Sequence, residues 1–297
     1  MTGSVIDNVI LGTAALGGIW GKIRPEESAV TIFSALEHGI QAIDTAPAYG
    51  DAEDILGRVL RQWEGKRPEI STKVGRKKCY AVDDGDYDFS PDGMLRSIEN
   101  SLDTLGIPTI DILFLHDPDA IIQADIEGVL KQLEYFKHAG YAKKIGLGGN
   151  PPRWLEPYLQ SDLFEVIMGF NRLNACNIEA LDTIIPFCAQ NNKAYYAASP
   201  LNMGLLGAKF SEFTDSPPYW LDLNSVAQAK KMNTIAQKHH MPLHELAHRF
   251  LFTIEGEFKV VMGATDKQQL TDTIRAIKKG RLSPEIYTEV LKTLNQR

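Results

Sequence analysis

A phenol becomes a usable proton donor when an ammonium stands beside it, and the parts for that lie close together in the first half of this chain. Asp44 and Tyr49 fall in Ile-Asp-Thr-Ala-Pro-Ala-Tyr-Gly (43–50), Lys73 in Ser-Thr-Lys-Val-Gly (71–75) and His116 in Leu-Phe-Leu-His-Asp-Pro-Asp (113–119). A free tyrosine titrates near ~10 and is a poor acid at neutral pH, but a neighbouring positive charge stabilises the phenolate. Lys73 can supply that charge, Asp44 can keep Lys73 protonated through an ion pair, and His116 can donate to a substrate oxygen and orient a carbonyl. A tuned acid of this kind contributes about 10²–10⁴-fold in rate. Each residue alone has a plainer reading: Asp44 and Tyr49-Gly50 as turn residues, Lys73 as a solvated charge, His116 as the start of a loop. Placed together at the ends of successive strands, they read as a site where a carbonyl is protonated while its carbon takes a hydride.

Short apolar, β-branched runs alternate with stretches of helical period along the whole chain. Strands are expected at 9–14, 41–46, 69–74, 110–116, 143–148, 165–170, 193–199 and 258–263. Helices are expected near 25–38, 53–63, 90–105, 123–139, 152–160, 178–191, 224–240, 243–253 and 267–278, with a C-terminal helix at about 283–295. Ser90-Pro91 and Arg24-Pro25-Glu26-Glu27 are helix starts, and Gly39 and Gly140 stand where a helix ends. Eight strand–helix units close naturally into a (β/α)₈ barrel; an open doubly wound sheet is the alternative. In a barrel Asp44, Tyr49, Lys73 and His116 share one mouth. No linker divides the chain, so 1–297 reads as one domain. The irregular 202–223 segment, with Pro217, Pro218, Tyr219 and Trp220, reads as a flap over that mouth.

The 297 residues are 44% hydrophobic and 23% charged, enough for a large core. A net charge of −7 leaves no electrostatic footprint for nucleic acid. Cys79, Cys176 and Cys188 are too few and too irregularly spaced for a disulfide framework or a metal site. No signal peptide and no apolar run of about 20 residues is present, so a soluble cytoplasmic enzyme is expected.

The chain resembles the aldo-keto reductase superfamily from about residue 9 to 278. The matching stretches are Ile43-Asp44-Thr45-Ala46 with Tyr49-Gly50, Ser71-Thr72-Lys73, Leu115-His116, Gly148-Gly149-Asn150, Ser199-Pro200-Leu201 with Gly204-Leu205, and Met262-Gly263-Ala264-Thr265. His116-Asp117-Pro118-Asp119 looks most like bacterial and plant members that oxidise aldoses at the anomeric carbon, the L-fucose, D-threo-aldose and L-galactose dehydrogenase-like group. The resemblance implies a nicotinamide cofactor, NAD(P)(H), lying extended across the barrel mouth; no glycine-rich dinucleotide fingerprint is present. It implies Gly12 and Thr13 beneath the nicotinamide, Asn150 on the carboxamide, and the backbone of Ser199, Leu201, Gly204 and Leu205 around the pyrophosphate. Where many relatives stack an aromatic ring on the nicotinamide, this chain has Ala198; Gly149 replaces a serine; and Asn171 is the nearest match to a sixth-strand amide. At the adenosine end, Gly263 and Gln269 stand where NADP-preferring relatives often carry Lys and Arg, and Asp266 adds negative charge. With Thr265 in the same segment, Lys267 the one compensating cation and Asp272 near the adenine amine, NAD is expected at least as readily as NADP.

Trp20, Tyr49 and His116 are the expected substrate contacts, with Tyr219 and Trp220 as further walls, and Arg76-Lys77-Lys78 could attract an anionic substrate group or lie solvated. The expected reaction is reversible hydride transfer between the cofactor and an aldehyde or aldose, with sugar oxidation to a lactone favoured. Two other functions compete. His244-Glu245-Leu246-Ala247-His248 matches HExxH, the pattern of a zinc hydrolase, although no third ligand follows at a recognised spacing, so no metal is expected. A non-catalytic nucleotide-binding redox sensor is the other.

Overall fold

A computed structural model of the chain describes residues 4–295. Strands β1 (Val9–Gly12), β2 (Ala42–Asp44), β3 (Glu69–Val74), β4 (Ile110–His116), β5 (Ala142–Gly148), β6 (Phe164–Phe170), β7 (Ala194–Ala198) and β8 (Lys259–Gly263) close into a parallel barrel in sequence order. β1 pairs with both β2 and β8, so the open-sheet alternative falls. The helices are α1 (Pro25–Glu37), α2 (Ala52–Gln62), α3 (Pro91–Leu105), α4 (Ile126–His138), α5 (Ile184–Gln190), α6 (Phe210–Asp215), α7 (Leu223–Lys238), α8 (Leu243–Thr253), α9 (Lys267–Lys278) and α10 (Pro284–Asn295).

Strands buried on both faces explain the continuous apolar runs. β4, Ile-Asp-Ile-Leu-Phe-Leu-His, is buried at every position. Alternate residues divide between two cores. Ile10, Ile112, Phe114, Val166, Met168, Tyr196 and Val261 fill the barrel axis, while Leu11, Leu113, Leu115, Ile145, Leu147, Ile167 and Met262 pack outward against the helices. Full burial of one such aliphatic side chain stabilises by about 1.5–3 kcal/mol. Extending the inward-facing rows to the strand ends places Gly12, Asp44, Lys73, His116, Gly148, Phe170, Ala198 and Gly263 around one mouth.

Helix ends follow their signals. The Ser90 hydroxyl accepts from the Gly93 amide at 3.1 Å, with Pro91 at the first helical position of α3, and Gly106 ends that helix at φ 68°. Two expected helices differ. The 153–160 segment is 3₁₀ throughout, with Pro157 inside it and therefore no amide to donate at that point. The expected helix at 178–191 shortens to a turn at Glu179–Leu181 followed by α5, because the ring of Pro186 crowds the carbonyl four residues before it and stops the α-helix extending upstream. The 202–223 segment is more ordered than an irregular flap: it holds a turn at Asn202–Gly204 and α6.

Candidate active site

The Asp44, Tyr49, Lys73 and His116 side chains meet at the mouth. The Lys73 ammonium donates to both Asp44 carboxylate oxygens, at 2.8 and 2.7 Å, and to the Thr45 carbonyl at 2.8 Å. Lys73 and Asp44 are each 2% exposed. Lys73 Nζ stands 4.7 Å from the centre of the Tyr49 ring, and the His116 ring meets Tyr49 edge-on with centroids 5.8 Å apart. Ser71, which the motif reading passed over as a role of its own, donates to Asp44 Oδ1 at 2.8 Å. Its spacing of two from Lys73 was the signal, since residues two apart on a strand share a face. The turn carrying Tyr49 is fixed by a close approach: a β-carbon at Gly17 would collide with the Tyr49 carbonyl, and one at Gly50 with the Gly17 carbonyl. The Asp51 amide donates to that same Gly17 carbonyl at 2.8 Å.

Burial and charge set the protonation states. Burial disfavours the Lys73 ammonium, but the Asp44 carboxylate and the Tyr49 phenol outweigh it and hold the pKa above its ordinary value. Burial, then the positive charges of Lys73 and Arg76, drives His116 well below 6.5, so the imidazole is neutral at physiological pH. Its Nδ1 is buried without a protein partner. Tyr49 departs from expectation. Burial raises its pKa above 10; Lys73 is the largest opposing influence, while Asp44 pushes upward with burial. The cation moderates the phenol's acidity without bringing it below the free value. Without a ligand, Tyr49 is therefore a protonated donor.

Around the rim, Thr13 is fully buried and its hydroxyl and amide both donate to the Asp44 carbonyl, at 3.1 and 2.9 Å. A β-carbon at Gly12 would press on Val261 at 3.1 Å, so glycine keeps this part of the floor open. The Asn150 amide is engaged with the backbone of Phe170, donating to its carbonyl at 2.9 Å and accepting from its N–H at 3.1 Å. It thus fastens the end of β5 to that of β6, a role the resemblance did not imply. Phe170 faces inward from β6, pairs across with Ala198 and is 40% exposed. An aromatic face therefore occupies the layer in which Ala198 lacks one. Sequence reading missed it because the partner lies on a neighbouring strand. Asn171 follows at φ 55° with its Oδ1 buried and unpartnered.

The Ser199–Leu205 segment turns sharply, with positive φ at Ser199, Asn202, Met203 and Gly204. Ser199 Oγ accepts from the Met203 amide at 3.0 Å, Gly204 donates to the Leu201 carbonyl at 3.1 Å and Leu205 to that of Asn202 at 3.1 Å. The Gly204 and Leu205 amides, expected to face a phosphate, are thus engaged in the turn, and the Leu205 side chain is fully buried. At the start of α9, Asp266 accepts from the Gln269 amide at 2.8 Å, the Gln269 side chain accepts from the Thr265 amide at 3.2 Å, and Asp272 is held by Arg275 at 2.8 Å. Gly263 faces open space.

Trp20 from the β1 loop, 44% exposed, approaches Trp220 at 6.5 Å, and Trp220 packs edge-on against Phe213 at 5.5 Å. Tyr219 is almost fully exposed and does not wall the site as an enclosed residue. The Arg76-Lys77-Lys78 run is not a free cationic patch. Arg76 pairs with Asp117, Lys77 with Asp86 and Lys78 with Asp51 and Asp54.

The HExxH segment forms α8 but serves packing. Glu245 is tied by Arg249 at 3.0 Å and Lys279 at 2.6 Å, and burial pushes His248 down to about 3. Among the described residues, no group of three or more His, Cys, Asp or Glu is placed to hold a metal ion. No helix of the described residues is long and apolar enough to cross a membrane.

A closed eight-stranded barrel with a buried lysine–aspartate pair, a tyrosine and a neutral histidine at its C-terminal mouth defines a barrel oxidoreductase class. The aldo/keto reductase family model matches residues 8–294, and the chain belongs to that family. It is 26% identical to pyridoxal 4-dehydrogenase of Microbacterium luteolum, covering 92% of this chain and 90% of the relative. It is 27% identical to D-threo-aldose 1-dehydrogenase of a Pseudomonas species, covering 88% and 86%. The solved structure of a glycerol dehydrogenase from Gluconobacter oxydans superposes with a TM-score of 0.78 at 24% identity, covering 97% of this chain and 91% of the other. The protein is a nicotinamide-dependent oxidoreductase that interconverts carbonyls and alcohols.

Proposed function

We propose that the protein acts as one barrel domain that oxidises an aldose, or reversibly reduces a small aldehyde, with Tyr49 as the proton carrier. The observation that carries this reading is the buried Lys73–Asp44 pair whose ammonium lies 4.7 Å from the Tyr49 ring centre, with His116 against that ring. In reduction Tyr49 gives its proton to the carbonyl oxygen; in oxidation it takes one from the alcohol. Lys73 stabilises the phenolate, Asp44 with Ser71 holds Lys73 in place, and neutral His116 donates a hydrogen bond to the reacting oxygen.

The rim residues fit a nicotinamide nucleotide, which when bound accepts or gives the hydride. Gly12 keeps the floor open, Phe170 offers an aromatic face, and the orphaned Asn171 Oδ1 offers an acceptor for an amide. Ser199 and Leu201 with the Gly204–Leu205 turn would line the phosphates. NAD is favoured over NADP: Gly263 and Gln269 bring no charge, Arg275 is committed to Asp272, and Lys267 is the remaining cation at the start of α9. The 202–223 segment, with Trp220 meeting Trp20, serves as the flap. An aldose substrate is supported by the similarity to D-threo-aldose 1-dehydrogenase.

The test is a panel of aldoses and aldehydes assayed with both nucleotides, following absorbance of the reduced ring. Turnover of at least one, abolished in Tyr49→Phe, is the expected result. A protein that binds nucleotide and turns over none would be a nucleotide sensor instead.

A further inference from the structure

Beside His116 stands a carboxylate that the acid–base chemistry does not use. Asp117 follows β4 in the left-handed region, at φ 46° and ψ 65°, a conformation uncommon for a residue with a side chain. It is held there by its amide donating to the Gly148 carbonyl at 2.9 Å and its carbonyl accepting from Ala120 at 2.9 Å. One carboxylate oxygen, Oδ2, is fully engaged: the Arg76 guanidinium donates at 3.2 Å and the Tyr87 hydroxyl at 3.1 Å. Arg76 is itself anchored by the Val82 carbonyl at 2.6 Å and the Asp84 carbonyl at 3.3 Å, and Tyr87 stacks on Phe89 with centroids 5.8 Å apart. The other oxygen, Oδ1, makes no hydrogen bond within the described residues and lies 3.9 Å from His116 Nε2.

That distance is too long for a direct hydrogen bond and leaves a donor nitrogen and an acceptor oxygen side by side. Two hydroxyl-bearing oxygens on neighbouring carbons can address them together, the reacting oxygen accepting from His116 and the adjacent hydroxyl donating to Asp117. We propose that Asp117, oriented by Arg76 and Tyr87, is the specificity-determining acceptor for the substrate hydroxyl on the carbon next to the reacting one. The favoured substrates are thereby α-hydroxylated aldoses over plain aldehydes. This rests on the oxidoreductase site proposed above and deepens it. Holding the carboxylate rigidly from its far side lowers the ordering cost of substrate binding, and an unhydroxylated substrate leaves Asp117 Oδ1 without a donor.

The test compares kcat/KM for an aldose and for its counterpart lacking the hydroxyl beside the carbonyl, in the wild type, Asp117→Asn and Arg76→Met. Because Arg76 and Tyr87 donate to one side of residue 117, the asparagine carbonyl takes that side and its NH2 faces the substrate. An acceptor becomes a donor, and asparagine tolerates the left-handed backbone. The preference for the hydroxylated sugar is expected to collapse by about 10- to 100-fold in Asp117→Asn. Arg76→Met should lose part of that preference, through KM more than kcat, as the carboxylate loses its anchor. Nucleotide Kd, measured by fluorescence quenching, should move little in either variant. A selectivity ratio within about threefold of wild type in Asp117→Asn, or an equal loss on both substrates, overturns the assignment of Asp117 while leaving Tyr49 chemistry intact. A wild type that turns over neither sugar but reduces plain aldehydes overturns the assignment of Asp117 and the aldose reading while leaving Tyr49 chemistry intact; one that turns over neither sugars nor aldehydes overturns both.

Discussion

Replacing Lys73 by Met tests the electrostatic core of the site and separates its structural from its chemical role. The ammonium makes three hydrogen bonds of 2.7–2.8 Å, two to Asp44 and one to the Thr45 carbonyl, in a place where both charged residues are 2% exposed. Methionine fills much the same space, so the loss is of charge. Asp44 is left buried with only the Ser71 hydroxyl on its carboxylate, and removing one partner of such a pair costs about 3–5 kcal/mol. Because the pair lifts the Lys73 pKa, the stabilisation carried by that shift is present at neutral pH and is lost as pH rises from the ordinary lysine range through the raised value. The chemical effect has its own sign. Lys73 is the largest influence lowering the Tyr49 pKa, so its removal raises that pKa further and moves the onset of alcohol oxidation to higher pH, with kcat at neutral pH down about 10²–10⁴-fold. Asp44→Asn combined with Lys73→Met removes both charges together; denaturant midpoints should then recover much of the lost stability while turnover stays low. Steady-state assays of oxidation across pH and urea melts of the wild type and the two variants decide the matter. A single Lys73→Met variant with turnover within about threefold of wild type, or an unmoved pH limb, would refute the role of the cation. Failure of the double variant to regain stability would refute the attribution to an unpaired buried carboxylate.

Tyr49→Phe should fold with an unchanged melting midpoint, bind nucleotide normally and lose about 10²–10⁴-fold in kcat; in the wild type, whose phenol titrates above its free value, reduction should be flat across neutral pH and oxidation should climb with pH. Glu53, 5% exposed and bonded to the hydroxyls of Thr72 at 2.6 Å and Ser101 at 3.1 Å, is pushed by burial to about 7 from an ordinary 4.5. Between those pH values the folded protein holds a proton that the unfolded chain has released, so stability falls as pH rises through the window, by about 3 kcal/mol; Glu53→Gln should flatten that dependence, as denaturant midpoints at pH values on either side will report. The Gly263→Lys/Gln269→Arg double variant adds cations where a β-carbon at 263 meets nothing within 4 Å, and Kd for the 2′-phosphorylated nucleotide should tighten about tenfold or more relative to the unphosphorylated one. Phe170→Ala should weaken nucleotide binding about 3- to 10-fold in equilibrium titrations, the range expected of one lost aromatic contact; an unchanged Kd would remove Phe170 from the cradle.

Local pattern sufficed for much of this protein. The apolar runs that end at Asp44, Lys73 and His116 read as strands because a parallel strand covered on both faces needs an almost continuous apolar stretch, and eight such runs alternating with helical periods leave few architectures but a closed barrel. Strand ends in a barrel share one mouth, so the meeting of Asp44, Tyr49, Lys73 and His116 was legible from position alone. Capping chemistry at Ser90-Pro91 and the glycine at 106 set the bounds of α3 for equally local reasons. What chain order could not supply were relations across strands and loops, which depend on where distant backbones meet. Ser71 on the Asp44 carboxylate, Phe170 opposite Ala198, Asn150 clasping Phe170 and Arg76 turned inward to Asp117 join residues 20 to 41 positions apart. Nor could composition reveal that burial outweighs Lys73 at the Tyr49 phenol, because desolvation belongs to the assembled mouth. HExxH makes the same point from the other side: the spacing of His244 and His248 and the Glu245–Arg249 pair are local, but packing against α9 brings Lys279 onto Glu245 and makes His248 a buried neutral ring. Residue type and spacing thus determined which groups this protein carries to its mouth. The tertiary structure decided how those groups are charged and which of them touch, because solvation and through-space distance arise only once the barrel has closed.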